Sequence, residues 1–247
     1  MNTKKYINLF KAIGITLVTS CFFMFSGLVK AGDIVGSVHD FSDGTYADTV
    51  TTYAWNSNQE LCTVCHTPHA SDTTVTVAPL WDREVTTSTF TVYSSNTLDA
   101  VVGQPSGVSV LCLSCHDGSI ALDSFGVNNP SGGASRVSDA GANRDIGESV
   151  AGAGFLNNDH PISFAFNTAL ATADGGLFDP STQTVTIGSG ARQKTGTIDA
   201  VMLSGGTVQC TSCHDVHNNF VNNTDTNPKL LRIALTGSAL CLTCHDK

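Results

Sequence analysis

The pattern Cys-x-x-Cys-His occurs four times, at Cys62/Cys65/His66, Cys112/Cys115/His116, Cys210/Cys213/His214 and Cys241/Cys244/His245. Two thiols three residues apart, followed at once by an imidazole, have the spacing for c-type haem attachment. The thiols can form thioethers to two porphyrin vinyl groups, and the imidazole can bind iron from one face. A single such motif would serve equally as a redox pair or as half of a zinc site. Four could in principle make two four-thiolate zinc clusters. Against that, a histidine trails every pair, and the one cysteine outside the motifs, Cys21, lies in an N-terminal segment read below as removed.

The chain has eight histidines, so four remain outside the motifs: His39, His69, His160 and His217. One further imidazole per haem suffices to fill the second axial position of each iron. Chain geometry restricts the pairing. His69 follows His66 by three residues, and His217 follows His214 by three. Three extended residues span at most about 10–11 Å. Histidines on opposite faces of one iron need Cα atoms roughly 12–13 Å apart, given metal–imidazole bonds near 2 Å. His69 therefore reaches a haem other than that of His66, and His217 one other than that of His214. Each Cys-x-x-Cys-His-x-x-His stretch ties two irons to one short length of backbone. Methionine ligation has little scope, because Met1 and Met24 precede residue 31 and leave Met202 as the sole candidate.

The elements that must hold these groups are weakly signalled. Lys4, Lys5 and Lys11 precede an apolar run from Ala12 to Val29, and Val29-Lys30-Ala31 offers a cleavage site. This reads as a signal peptide over residues 1–31, with 32–247 as a single tetrahaem domain and no transmembrane segment after cleavage. Cys21, in Val18-Thr19-Ser20-Cys21, loosely resembles a lipoprotein box, but Phe22-Phe23-Met24-Phe25 continues the apolar run, so it is read as lost with the signal. Four of the twelve cations fall in 1–31, which leaves the remaining 216 residues at a net charge of −13. Such an acidic chain is a poor partner for nucleic acid.

Counted between first cysteines, the motifs are separated by 50, 98 and 31 residues, which argues against identical stacked repeats. Residues 73–77, 88–93 and 183–187 alternate like short strands, and short helices are expected near 165–171 and 230–242. Residues 126–154 read as loop. With 23 glycines and 7% aromatic residues, the polypeptide looks short of material for a conventional core. The expected fold is a mostly irregular multihaem cytochrome c with short helices and a few short strands, built around a haem core.

Several stretches carry a resemblance: Gly36-Ser37-Val38-His39-Asp40-Phe41-Ser42, Cys62 to His69, His160-Pro161-Ile162-Ser163-Phe164, Cys210 to His217, and Leu231-Arg232 leading to Cys241–His245. Together they resemble the outer-surface multihaem cytochromes of metal-reducing bacteria, and most nearly the OmcE-like tetrahaem type, which polymerises into extracellular filaments. The resemblance runs from about Gly36 to the C-terminus. It implies a homopolymer in which His69 ligates a haem of the adjacent subunit. It further implies that His39 serves the first haem, while His160 and His217 divide two of the others.

The expected function is electron transfer by four bis-histidine c-type haems, in an exported protein at the outer surface or beyond, passing electrons to extracellular acceptors or redox partner proteins. A monomeric periplasmic shuttle is the alternative. A multihaem reductase is disfavoured because eight imidazoles leave no open iron, so no catalytic residue is assigned and the chain is not read as an enzyme. Pyridine-haemochrome absorbance should give four haems per chain; three or fewer would remove the tetrahaem reading.

Overall fold

Isolated strands of two to four residues do not form sheets, and this chain uses its strands only as clips. The computed structural model describes residues 34–42, 56, 59–126, 146, 154–220 and 230–247. Six strands pair in twos. β1 (Phe90–Val92) runs parallel to β2 (Gly154–Leu156), β3 (Phe164–Ala165) is antiparallel to β6 (Thr207–Val208), and β4 (Thr184–Ile187) is antiparallel to β5 (Lys194–Thr197). The helices are α1 (Val108–His116), α2 (Thr168–Asp174), α3 (Ile198–Val201) and α4 (Cys210–Cys213), with 3-10 turns at Gly190–Arg192, Thr236–Ser238 and Cys241–Thr243. The rest of the described residues is mostly turn and coil, as the composition leads one to expect. Among the described residues no helix is long and apolar enough to cross a membrane.

A polypeptide core does exist, and composition hid it. Phe164, Phe166, Ile187, Ile198, Val201, Met202 and Val208 form one buried cluster. Few apolar residues suffice because β3–β6 and β4–β5 converge on the short α3. Ile187 closes β4, and Ile198 opens α3 directly after β5. Thr197 caps α3 by accepting from Ala200 N, and Gly196 leaves room for Val201, whose Cγ1 would lie 2.6 Å from a Cβ at 196. Met202 is 4% exposed within this cluster, packed as a core side chain. Met202 is thus placed as packing rather than as a ligand.

Local expectations fare unevenly. The strands at 88–93 and 183–187 correspond to β1 and β4, whereas 73–77 is turn and coil because no neighbouring strand pairs with it. The helix expected at 165–171 begins three residues later, where Asn167 accepts from Leu170 N and sets the N-cap. The helix expected over 230–242 is broken into two 3-10 turns, since Gly237 and Ser238 take φ of 62° and 59°. Most of 126–154 and all of 1–31 lie outside the described residues.

Ile198→Ala should cost about 2–5 kcal/mol. The expected reading is a lower urea midpoint at unchanged haem content; an unshifted midpoint would mean that this cluster is not a core.

Candidate haem site

Each motif is folded into a single helical turn. His66 N donates to Cys62 O (2.9 Å), His214 N to Cys210 O (3.0 Å) and His245 N to Cys241 O (3.0 Å), while Cys112–His116 is the last turn of α1. In a helical turn, positions i, i+3 and i+4 share one face. Both thiols and the imidazole of each motif therefore present to the same side, the arrangement that attachment to one flat macrocycle requires. Among the described residues no three His, Cys, Asp or Glu side chains gather as a metal-ion cluster.

The motifs lie next to one another in sequence order. Cys115 is near enough to Cys65 to raise its thiolate cost, the thiols of Cys112 and Cys210 are hydrogen-bonded, and Cys213 faces Cys241 and Cys244. Burial pushes the thiols of Cys65 and Cys244 up to about 12. Cys210 goes the other way, to about 7, because the Cys112 thiol donates to it. Cys112 is raised as well, first by its hydrogen bond to Cys210, and Cys115 and Cys213 are raised by burial.

Two polar devices hold neighbouring motifs in place, and neither was foreseen. Gln209, 3% exposed, joins α1 to α4: its Oε1 accepts from Ser109 N and Oγ, its Nε2 donates to Thr207 Oγ1, and its backbone shares a capping box with Ser212. Ser109 Oγ also accepts from Cys210 N (3.0 Å). Arg83, 3% exposed, joins the first motif to the segment after the second. It donates to the carbonyls of Val64, Leu122 and Ala121 and lies beside Cys65 and Cys115. Polar residues placed beside a motif, Gln209 before Cys210 and Ser109 before Cys112, were the only available sequence signal. The far end of α1 is fixed by Thr86, which bonds Ser114 and Asp117.

The histidines supply the test of fit. Two imidazoles on opposite faces of one iron should have ring centres about 6.2 Å apart, from metal–nitrogen bonds near 2.0 Å and roughly 1.1 Å from nitrogen to ring centre. The ring centres of His39 and His116 are 6.2 Å apart, those of His66 and His217 6.2 Å, and those of His160 and His245 6.4 Å. Three pairs thus stand at the separation that one iron spans. Each joins a motif histidine to one from elsewhere in the chain. His39, placed on the first haem by the resemblance, instead faces His116 of the second motif, and His217 takes the position opposite His66.

The ring nitrogens are oriented for the same task. His66 Nδ1 lies 2.7 Å from Pro79 O, and His160 Nδ1 lies 2.8 Å from Pro161 O. A proton on Nδ1 satisfies each carbonyl and leaves Nε2 as a bare donor for metal. Burial, with the neighbouring imidazoles of His116, His214 and His217, lowers His39 to about 4, so it is held neutral. His69 differs from the other spare histidines. Its side chain is exposed, and Thr67 Oγ1 donates to its carbonyl (2.9 Å), closing a turn that presents it outward. Among the described residues its ring meets no other imidazole.

Residues 203–247, covering the third and fourth motifs, match the family model described as the doubled CXXCH motif. No curated protein matches the chain. The doubled motif indicates covalently bound c-type haem and electron transfer, in the manner of multihaem c-type cytochromes.

Ligand-plane angles separate the pairs: 19° for His66/His217, against 72° for His39/His116 and 79° for His160/His245. Near-parallel imidazole planes split the iron dπ orbitals more than perpendicular ones. The oxidised protein should therefore show a rhombic low-spin EPR signal alongside strongly anisotropic ones, and His217→Ala should delete the rhombic signal alone. Loss of an anisotropic signal instead would overturn the pairing of His217 with His66.

Proposed function

We propose that this chain is a tetrahaem electron-transfer protein whose irons all carry two imidazoles, and that it polymerises outside the cell into a continuous haem conductor. Haem c supplies one-electron iron(III)/iron(II) chemistry; the chain's residues hold it, close its faces and set the spacing. The observation that carries this reading is the three imidazole pairs at the separation of one iron. On this reading His39 serves the haem of His116, His217 that of His66, and His160 that of His245. With both faces of an iron occupied, no coordination position remains for a substrate, which favours a carrier over an enzyme.

Six of eight imidazoles are then used within the chain, and the count matches His69 to the haem of His214. His69 is turned outward, which suits donation to a neighbouring copy. Each chain would then give one histidine and receive one. Such a contact is heterologous, and it builds an open helical polymer where the rotation between copies does not close a ring. The adjacency of motifs one to four provides a route within the chain, and the exchanged histidine extends it to the next. Export by residues 1–31 and an acidic surface suit delivery to external acceptors or to redox partner proteins.

His69→Ala should retain four haems per chain yet form no filaments by negative-stain microscopy, and resonance Raman should show one iron per chain turned high-spin. Normal filaments from His69→Ala would overturn the polymer reading. Wild-type chains that stay monomeric with four low-spin irons would favour the periplasmic shuttle, and an open high-spin iron in the wild type would favour a reductase.

A further inference from the structure

The two Cys-x-x-Cys-His-x-x-His stretches share a backbone architecture that the spacing between motifs conceals. Thr67 N donates to Leu80 O, and Asp215 N donates to Leu230 O, both at 2.8 Å. Asp82 N donates to Cys65 O, and Arg232 N to Cys213 O, both at 2.9 Å. His66 bridges Trp81 as His214 bridges Leu231. Even the unusual left-handed residues coincide. Ala70 and Asn218, each directly after the trailing histidine, have φ of 58° and 56°; Leu80 and Leu230 have φ of 56° and 55°. A positive φ is costly for a residue with a side chain. Two matching pairs of them mark one structural unit used twice, and the doubled-motif match at 203–247 covers only the second use.

The two copies differ in what covers them. Leu230 is 4% exposed, whereas its equivalent Leu80 is 51% exposed, with Val77 beside it at 50%. The carbonyls of both leucines accept from the backbone of their own Cys-x-x-Cys-His-x-x-His stretch in the same way, so the local backbone does not account for the difference. What distinguishes them is the trailing histidine: in the second unit His217 stands opposite His66 of the first, whereas in the first unit His69 is exposed.

We propose that the turn at Val77–Leu80, beside His69, is a docking surface for a second copy of this chain, with Leu80 covered by that copy as its equivalent Leu230 is covered within the chain. This rests on the polymer reading above and assigns the contact surface. The relation of second unit to first is carried one step further: the first unit of one chain sits on the second unit of the next, His69 entering where His214 presents its haem. The subunit boundary becomes a copy of the internal one.

The test uses full-length, haem-loaded protein. Leu80→Glu should keep four haems and its low-spin pairs for His39, His160 and His217, while raising the critical concentration for assembly at least about tenfold, as expected for a large apolar side chain denied burial. Leu80→Met should assemble as the wild type does. Val101→Glu, at a residue 91% exposed outside both units, should also leave assembly unchanged. If Leu80→Glu assembles at the wild-type concentration while His69→Ala does not, the docking surface is wrong and the polymer reading stands. If Val101→Glu blocks assembly as strongly, Leu80 has no special role and the surface is likewise overturned. If wild-type protein never assembles, both fail.

Discussion

A histidine three residues beyond a haem-binding histidine cannot turn back to the far face of the same iron, because the backbone between them is too short. This constraint governs much of the molecule. It sends His217 away from its own motif and across to His66, and it leaves His69 facing outward. The other imidazole pairs are long-range for a different reason, the loops between them: His39 meets a motif far downstream, and His160 meets one at the C-terminus. Contacts of that kind close large loops, and loop closure costs conformational entropy. On the proposed ligation, a strong and directional metal–ligand bond would offset that cost, and the paired strands and single-turn helices serve as local clips.

The chemistry was more legible in the sequence than the fold, for a physical reason. Haem attachment demands thiol, thiol and imidazole on one face of a single turn, and that demand appears as contiguous letters. Ligand pairing is different. Counting to eight shows that partners exist, but which ring meets which depends on loops that the letters do not describe, so His39 was placed with the first motif and sits with the second. Helix α1 escaped notice because Ser109 and Ser114 occupy fully buried positions, where they bond across to Gln209 and Thr86, and so no apolar stripe marks the buried side. The stretch 230–242 looks helical by composition yet contains residues at positive φ, which serve the connection between motifs rather than a helix.

Repetition was hidden in the same way. Unequal separations between cysteines measure the loops, and loops tolerate insertion. The conserved quantity between the two halves is instead a set of backbone hydrogen bonds with two strained residues in each. The costly left-handed leucines persist at both sites, although one is buried and the other exposed. Their conformation therefore belongs to the turn beneath the histidine rather than to the packing above it. Arg83 shows a related economy: a buried cation that donates to a carbonyl inside the first motif and to two carbonyls after the second, tying the two motifs together through the backbone.

The closeness of Cys112 and Cys210 has a consequence for how the chain is divided. Their thiols touch where α1 meets α4, under the Ser109–Gln209 contact. The two sulfurs belong to motifs 98 residues apart in sequence, and Ser109 and Gln209 lie just ahead of those motifs. The joint therefore sets the second and third motifs side by side through polar groups that are buried on both sides. The long insertion between these motifs is a detour in the chain and leaves no gap between the groups it separates.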